Sequence, residues 1–69
     1  MRIEIRSREM VEVIHKRHTI ARYYPISNKL IIDLYSGDPR REEVIDYVSS
    51  KFQVPAGELF VTTSADWKR

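Results

Sequence analysis

Residues 39–52 have the apolar spacing of a helix that buries one side. Along this stretch, apolar residues recur three or four positions apart, at Val44, Ile45, Val48 and Phe52. Polar residues occupy most of the remaining positions. We therefore expect this helix to pack on the rest of the protein through one face only.

The start of this stretch is typical of a helix N-terminus. Asp38 can accept hydrogen bonds from the first amides, and Pro39 has the φ angle that the first helical position needs. Glu42 and Glu43 complement the positive end of the helix dipole. These signals predict that the main helix spans residues 39–52.

Strand patterns flank the helix on both sides. In residues 29–35, Leu30, Ile32 and Leu34 are two positions apart, so in a strand they share one face. Residues 59–63 are rich in β-branched and aromatic residues, which favour a strand. A strand, a helix and a strand in this order predict a right-handed crossover. It places both strands parallel in one sheet, though not necessarily as neighbours.

The pattern before residue 25 leaves two interpretations open. Ile3 and Ile5 alternate with charged residues and predict a first strand. Residues 8–24 fit either an amphipathic helix or an extended chain that turns at residues 25–28. We expect a short helical or irregular segment near residues 8–14, followed by a hairpin.

Length and composition indicate one small domain. With 69 residues the chain has room for one hydrophobic core, and we predict a single α+β domain over residues 1–69. Its sheet should have three or four strands, with the helix on one face and Trp67 packed against the sheet. Cysteine is absent, and no stretch has the pattern of a signal peptide or a membrane span. We therefore expect a soluble, cytoplasmic protein.

Charge divides the chain into a basic and an acidic part. The formal net charge is +2, but residues 1–29 carry seven Lys or Arg against three Glu. Residues 30–63 carry three Lys or Arg against six Asp or Glu. A surface that contacts an acidic partner should therefore lie in the first half of the chain.

Basic and aromatic residues in that half predict contacts to nucleic acid. Cations displace counterions from phosphates, and aromatic rings stack on unpaired bases. The candidate contact residues are Arg6, Arg8, His15, Lys16, Arg17, His18, Arg22 and Tyr23. Tyr23 would be the stacking surface. The alternative is an ordinary solvated surface with its tyrosines in the core.

Catalytic and metal-binding patterns are weak. Glu12, His15 and His18 are three residues apart and could share one side of a helix, but no second set accompanies them. With two glycines and no cysteine, the chain lacks a glycine-rich phosphate loop and a thiol nucleophile. We expect a protein that is not an enzyme and binds neither a metal nor a cofactor.

Several short segments resemble one ribosomal protein family. They are Ile3-Glu4-Ile5, Val13-Ile14-His15-Lys16-Arg17, Pro39-Arg40-Arg41-Glu42-Glu43-Val44, Val54-Pro55 and Glu58-Leu59-Phe60-Val61. In this order they resemble the archaeal and eukaryotic small-subunit ribosomal protein twenty-four family, relative to which residues 24–36 would be an insertion. The resemblance implies an RNA-contacting protein without catalysis, with Lys16 and Arg17 among the RNA contacts.

The sequence thus leads to two main functional hypotheses. The first is a non-catalytic module that contacts RNA, of the ribosome-associated type, through its basic N-terminal half. The second is a protein-interaction module that docks through a sheet edge or an apolar surface, including a homodimer formed at an exposed edge. A small metal-dependent enzyme is a third hypothesis, which would require a bound metal.

Overall fold

A computed structural model describes residues 1–64 as a five-stranded mixed sheet with one helix. In chain order the elements are β1 (Arg2–Ile5), β2 (Val11–His15), β3 (His18–Tyr24), β4 (Lys29–Ile32), α1 (Arg40–Phe52) and β5 (Phe60–Thr63). A short 3-10 turn, Ala56–Glu58, precedes β5. The strands lie in the order β1-β2-β3-β4-β5, and all neighbours are antiparallel except β4 and β5. The α+β class is confirmed, with more strands than the predicted three or four.

The additional strand is β2, where we expected a short helical or irregular segment near residues 8–14. Residues 6–10 form an irregular loop, and β2 begins at Val11. Val11 and Val13 alternate as in a strand, although the wider pattern also fitted a helix. Pairing with β1 and β3 on both sides satisfies the backbone of β2, which decides between the two patterns.

The predicted parallel arrangement of the two strands around the helix is confirmed, and the strands are direct neighbours. β4 and β5 run parallel, with Lys29 beside Phe60 and Ile32 beside Thr63. β4 ends three residues before the predicted end at residue 35. The N–H of Asp33 still donates to a carbonyl oxygen of β3, at 2.8 Å, before the chain leaves the sheet.

Helix α1 begins at Arg40, and the predicted cap is present. A carboxylate oxygen of Asp38 accepts the backbone N–H of Arg40 at 2.9 Å, and the guanidinium of Arg40 pairs with the same carboxylate at 2.7 Å. Both bonds lower the pKa of Asp38, and the bond from the guanidinium has the larger effect. Pro39 precedes the helix rather than forming its first residue.

The core lies between α1 and one face of the sheet. Val44 and Val48 of the helix and Leu30 and Ile32 of β4 are fully buried in one cluster. The apolar stripe predicted for the helix therefore contacts the sheet, as its spacing indicated.

A β-bulge in β3 adds to this core. The pairing of β2 with β3 shifts between Val13 and Ile14, so that β3 has one residue more than its partner at this point. As a result Ile20 and Ala21, although adjacent in sequence, are both buried in the core cluster. The bulge therefore lets β3 bury two consecutive side chains.

No helix among residues 1–64 is long and apolar enough to cross a membrane. The residue predicted to cover the sheet near the C-terminus, Trp67, lies outside the described residues.

Candidate nucleic-acid interface

The sheet face opposite α1 carries no helix in the described part of the chain, and we call it the open face. Successive side chains of a strand point to opposite faces, and Tyr23, Leu30 and Val61 belong to the helix side. Their neighbours in the strands therefore lie on the open face. On β3, β4 and β5 the open face includes Thr19, Arg22, Tyr24, Lys29, Ile31, Phe60 and Thr62.

One row across the open face alternates aromatic and cationic side chains. Tyr24 of β3 pairs with Lys29 of β4, and Lys29 pairs with Phe60 of β5. Side chains at paired positions stand about 5 Å apart at their β-carbons. Phe60 is 67% exposed, Lys29 is exposed and Tyr24 is half-buried. This row therefore presents two aromatic rings on either side of an ammonium group.

A second row, parallel to the first, adds another cation. Arg22 pairs with Ile31, and Ile31 pairs with Thr62. Arg22 is exposed, and within residues 1–64 neither Arg22 nor Lys29 forms an ion pair. Both cations are therefore available to an anionic partner.

The cations and carboxylates of β1 and β2 neutralise one another instead. Glu4 pairs with Arg2 at 2.8 Å and with Arg6 at 3.0 Å, while Arg6 also pairs with Glu12 at 2.9 Å. The hydrogen bond from Arg2 is the main cause of the lowered pKa of Glu4, and the one to Glu12 raises the pKa of Arg6. Arg6, one of the predicted contact residues, therefore already forms ion pairs with two carboxylates.

The structure separates the predicted basic cluster into groups at the two ends of the sheet. Arg6 and Arg8 belong to the β1–β2 loop, whereas the four residues from His15 to His18 form the turn between β2 and β3. The length of β2, about 13 Å, lies between them. Arg22 lies on the open face, nearer the middle of the sheet. The predicted residues therefore do not form one patch.

The turn between β2 and β3, residues 15–18, has an unusual backbone, and we call it the hairpin tip. Lys16 and Arg17 both have positive φ, at 50° and 72°, between the paired residues His15 and His18. A two-residue loop with two positive φ angles is a type I′ turn, which favours Asn and Gly. Here two exposed cations occupy it. The side chain of His15 is half-buried, and its Nδ1 has no hydrogen-bond partner among residues 1–64.

The stacking role predicted for Tyr23 is wrong, because this side chain is 1% exposed. Its ring lies 4.7 Å from that of Phe52 on the helix, and its hydroxyl donates to Oδ1 of Asn28 at 2.9 Å. Burial raises the pKa of Tyr23. The neighbouring Tyr24 is the tyrosine on the open face, because consecutive residues of β3 alternate between faces here.

Phe60 was not among the predicted contact residues, although a signal for it exists. Leu59 is buried, Phe60 is exposed and Val61 is half-buried, which is an alternating pattern. This alternation indicates that the phenyl ring faces away from the helix, which the strand propensity of residues 59–63 alone does not show.

The described residues contain no group of three or more His, Asp or Glu side chains placed to hold a metal ion. Glu12, considered above as a ligand beside His15 and His18, accepts hydrogen bonds from Arg6 and Thr19 instead. Within residues 1–64 there is also no pocket, so the candidate site is an open surface.

Comparison of the chain with protein-family models, curated proteins and solved structures finds no match.

Proposed function

We propose that the chain binds single-stranded RNA through the open face, without catalysing a reaction. The observation that carries the proposal is the row of Tyr24, Lys29 and Phe60, in which an exposed phenyl ring adjoins a cation that forms no ion pair within residues 1–64. A large apolar ring left in water is costly, and burying it against a partner stabilises the complex.

The chemistry of the row fits unpaired bases better than a duplex. Aromatic rings on a sheet stack on bases that are splayed out from a strand, and such bases are absent from a regular double helix. Lys29 and Arg22 lie beside the rings, where they can neutralise the phosphates between the stacked nucleotides. Stacking and charge neutralisation are thus available on the same surface.

The charges on the helix and on the sheet also favour binding of RNA to the open face. The outer side of α1 exposes Glu42, Glu43 and Asp46, which repel a polyanion. On the open face, Arg22 and Lys29 form no ion pair within residues 1–64, and Glu12, the cross-strand neighbour of Arg22, is paired with Arg6 instead. A nucleic acid that approaches the protein is therefore steered toward the open face.

The hairpin tip extends this surface along β3. From His18 to Tyr24, β3 spans about 20 Å, with Arg22 between the two ends. An RNA strand that follows β3 would meet Lys16 and Arg17 at one end and the aromatic row at the other. In this proposal the hairpin tip contacts phosphates and the aromatic row contacts bases. The ribosome-associated role implied by the family resemblance and the cytoplasmic location expected from the composition belong to the same proposal.

Fluorescence anisotropy with a labelled single-stranded RNA, titrated across a salt series, tests the proposal. Phe60→Ala should weaken binding by about 5- to 150-fold, the value of one stacked base, without changing the salt dependence. Lys29→Ala should instead reduce the slope of log affinity against log salt by about 0.7. Phe60→Tyr, which keeps an aromatic ring, should retain most of the affinity.

Lys51→Ala is the matched control, because Lys51 is an exposed cation on the helix side. It should leave both affinity and slope near those of the unaltered protein. Binding that does not weaken between low and moderate salt contradicts the proposal. Equal effects of Phe60→Ala and Lys51→Ala, or tighter binding to duplex RNA, also contradict it. A protein partner retained at high salt would favour the interaction-module hypothesis instead.

A further inference from the structure

Strand β1 has one edge without a partner among residues 1–64. It pairs with β2 on one side only, because it is the first strand in the order of the sheet. Proteins usually protect such an edge, since its N–H and C=O groups can pair with another strand. The edge of β1 is therefore available for pairing with another chain.

Apolar side chains at this edge extend beyond the reach of the helix. Met1, Ile3 and Ile5 alternate with Arg2 and Glu4, and Ile3 packs against the core. Ile5, however, is 74% exposed and Met1 is 39% exposed. On the helix side of this edge, Met1 and Ile5 are thus two apolar side chains that the described residues leave exposed.

The sequence of β1 is complementary to itself in one register. We infer that a second copy of this chain pairs antiparallel with β1, with Ile3 on the two-fold axis. In this register Arg2 faces Glu4 of the second copy, and the reciprocal pair forms on the other side of the axis. Met1 faces Ile5 of the second copy in the same way. Opposite charges and apolar residues are therefore both matched.

The neighbouring registers bring like charges together. A two-fold axis perpendicular to the sheet keeps both helices on one side of the dimer. The alternative registers of this kind place the axis at another residue of β1, so that every side chain stays on its own face. With the axis at Arg2, two arginines oppose each other, and with the axis at Glu4, two glutamates do so. With the axis at Ile5, half of the pairs fall in residues 6–10, where the amides of Arg6 and Ser7 already donate to the Met10 carbonyl oxygen.

The ion pair within each chain reinforces the chosen register. Arg2 and Glu4 contact each other at 2.8 Å along β1, on the open face. Two such pairs facing each other across the axis form a square of alternating charges, in which each group has two opposite neighbours. The dimer would have one ten-stranded sheet with both helices on one side. Its two open faces would be continuous on the other side.

Charge reversal at the two positions tests this dimer without any nucleic acid. Arg2→Glu places two glutamates opposite each other at both contacts, and Glu4→Arg does the same with two arginines. Each variant alone should weaken self-association at least about tenfold in sedimentation equilibrium. An equimolar mixture of the two variants should form a heterodimer, because every contact then joins Arg with Glu.

The interface is small, so the unaltered protein should dimerise with a dissociation constant above about 1 μM, and the measurement needs concentrations up to about 1 mM. Lys51→Glu and Glu43→Arg are matched controls, since they make the same charge changes on the exposed side of α1 and should leave the mass unchanged. Circular dichroism on each variant checks that it is folded.

Three results would overturn the inference: a monomer throughout this range, a dimer that neither β1 variant weakens, or folded variants that do not associate when mixed. The inference does not depend on RNA binding. Because the dimer is measured on nucleic-acid-free protein, its failure would leave the proposed function untouched, and the reverse also holds.

Discussion

Replacing the two residues of the hairpin tip by Asn and Gly should stabilise the protein. Lys16 and Arg17 hold φ angles of 50° and 72°, where a β-carbon approaches the following carbonyl oxygen. This conformation costs roughly 1–2 kcal/mol for each non-glycine residue, and Asn tolerates it better than Lys. Glycine loses about 0.5–1 kcal/mol more entropy on folding, which offsets part of the gain. Lys16→Asn combined with Arg17→Gly should therefore add about 1 kcal/mol to the free energy of unfolding.

Urea unfolding followed by circular dichroism measures this change. For a domain of this size, a gain of about 1 kcal/mol raises the melting temperature by about 4–8 °C. The matched control is Lys16→Ala combined with Arg17→Ala, which removes the same two charges but keeps a β-carbon at both positions. It should be no more stable than the unaltered protein. If the Asn-Gly variant is not more stable than the Ala-Ala variant, the argument from backbone strain is refuted.

The same pair of variants separates backbone strain from RNA binding. Both remove two cations from the hairpin tip, so both should reduce the salt slope of single-stranded RNA binding by about 1.4. If both variants lose RNA affinity but only the Asn-Gly variant gains stability, the strained backbone of the turn is offset by the RNA contacts of its two cations. Unchanged RNA binding in both variants would remove the hairpin tip from the proposed interface.

Two further predictions concern groups whose pKa differs from its ordinary value. Because burial raises the pKa of Tyr23, the stability that its neutral form contributes is fully present below about pH 10 and is lost as the pH rises through the higher folded value. Tyr23→Phe should cost about 1 kcal/mol at neutral pH, through the lost hydrogen bond to Asn28, and reduce the alkaline loss of stability in urea titrations. Because Arg40 lowers the pKa of Asp38, the contribution of Asp38 is present above about pH 4 and is lost as the pH falls through the lower folded value. Asp38→Ala should therefore lower the melting temperature at pH 7 and flatten its acid dependence, and equal acid dependence in both proteins would contradict this.

The elements that could be predicted from the sequence are those with local signals. The helix is marked by its apolar spacing and by Asp38, and the structure has it at Arg40–Phe52. The crossover followed from the order of strand, helix and strand. β2 was missed because Val11 and Val13 satisfy both a period of two and the wider helical pattern. Only pairing with β1 and β3 distinguishes them.

The candidate site was harder to predict because it depends on which face each side chain occupies. Tyr23 and Tyr24 are adjacent and chemically identical, so composition does not distinguish the core tyrosine from the one on the open face. The contact with Phe52 and the hydrogen bond to Asn28 fix Tyr23 in the core. Phe60 joins Tyr24 only because β5 pairs with β4, across more than 30 residues of chain.

By itself the sequence determined the fold class, the helix and its cap, the crossover and the basic character of the first half. These properties depend on residues within a few positions of one another, or on their number. The tertiary structure alone decided the strand count, the bulge in β3, the separation of the predicted cations and the formation of the aromatic row. Register between strands depends on backbone hydrogen bonds and packing between distant segments, and a shift of one residue would move every side chain of a strand to the other face.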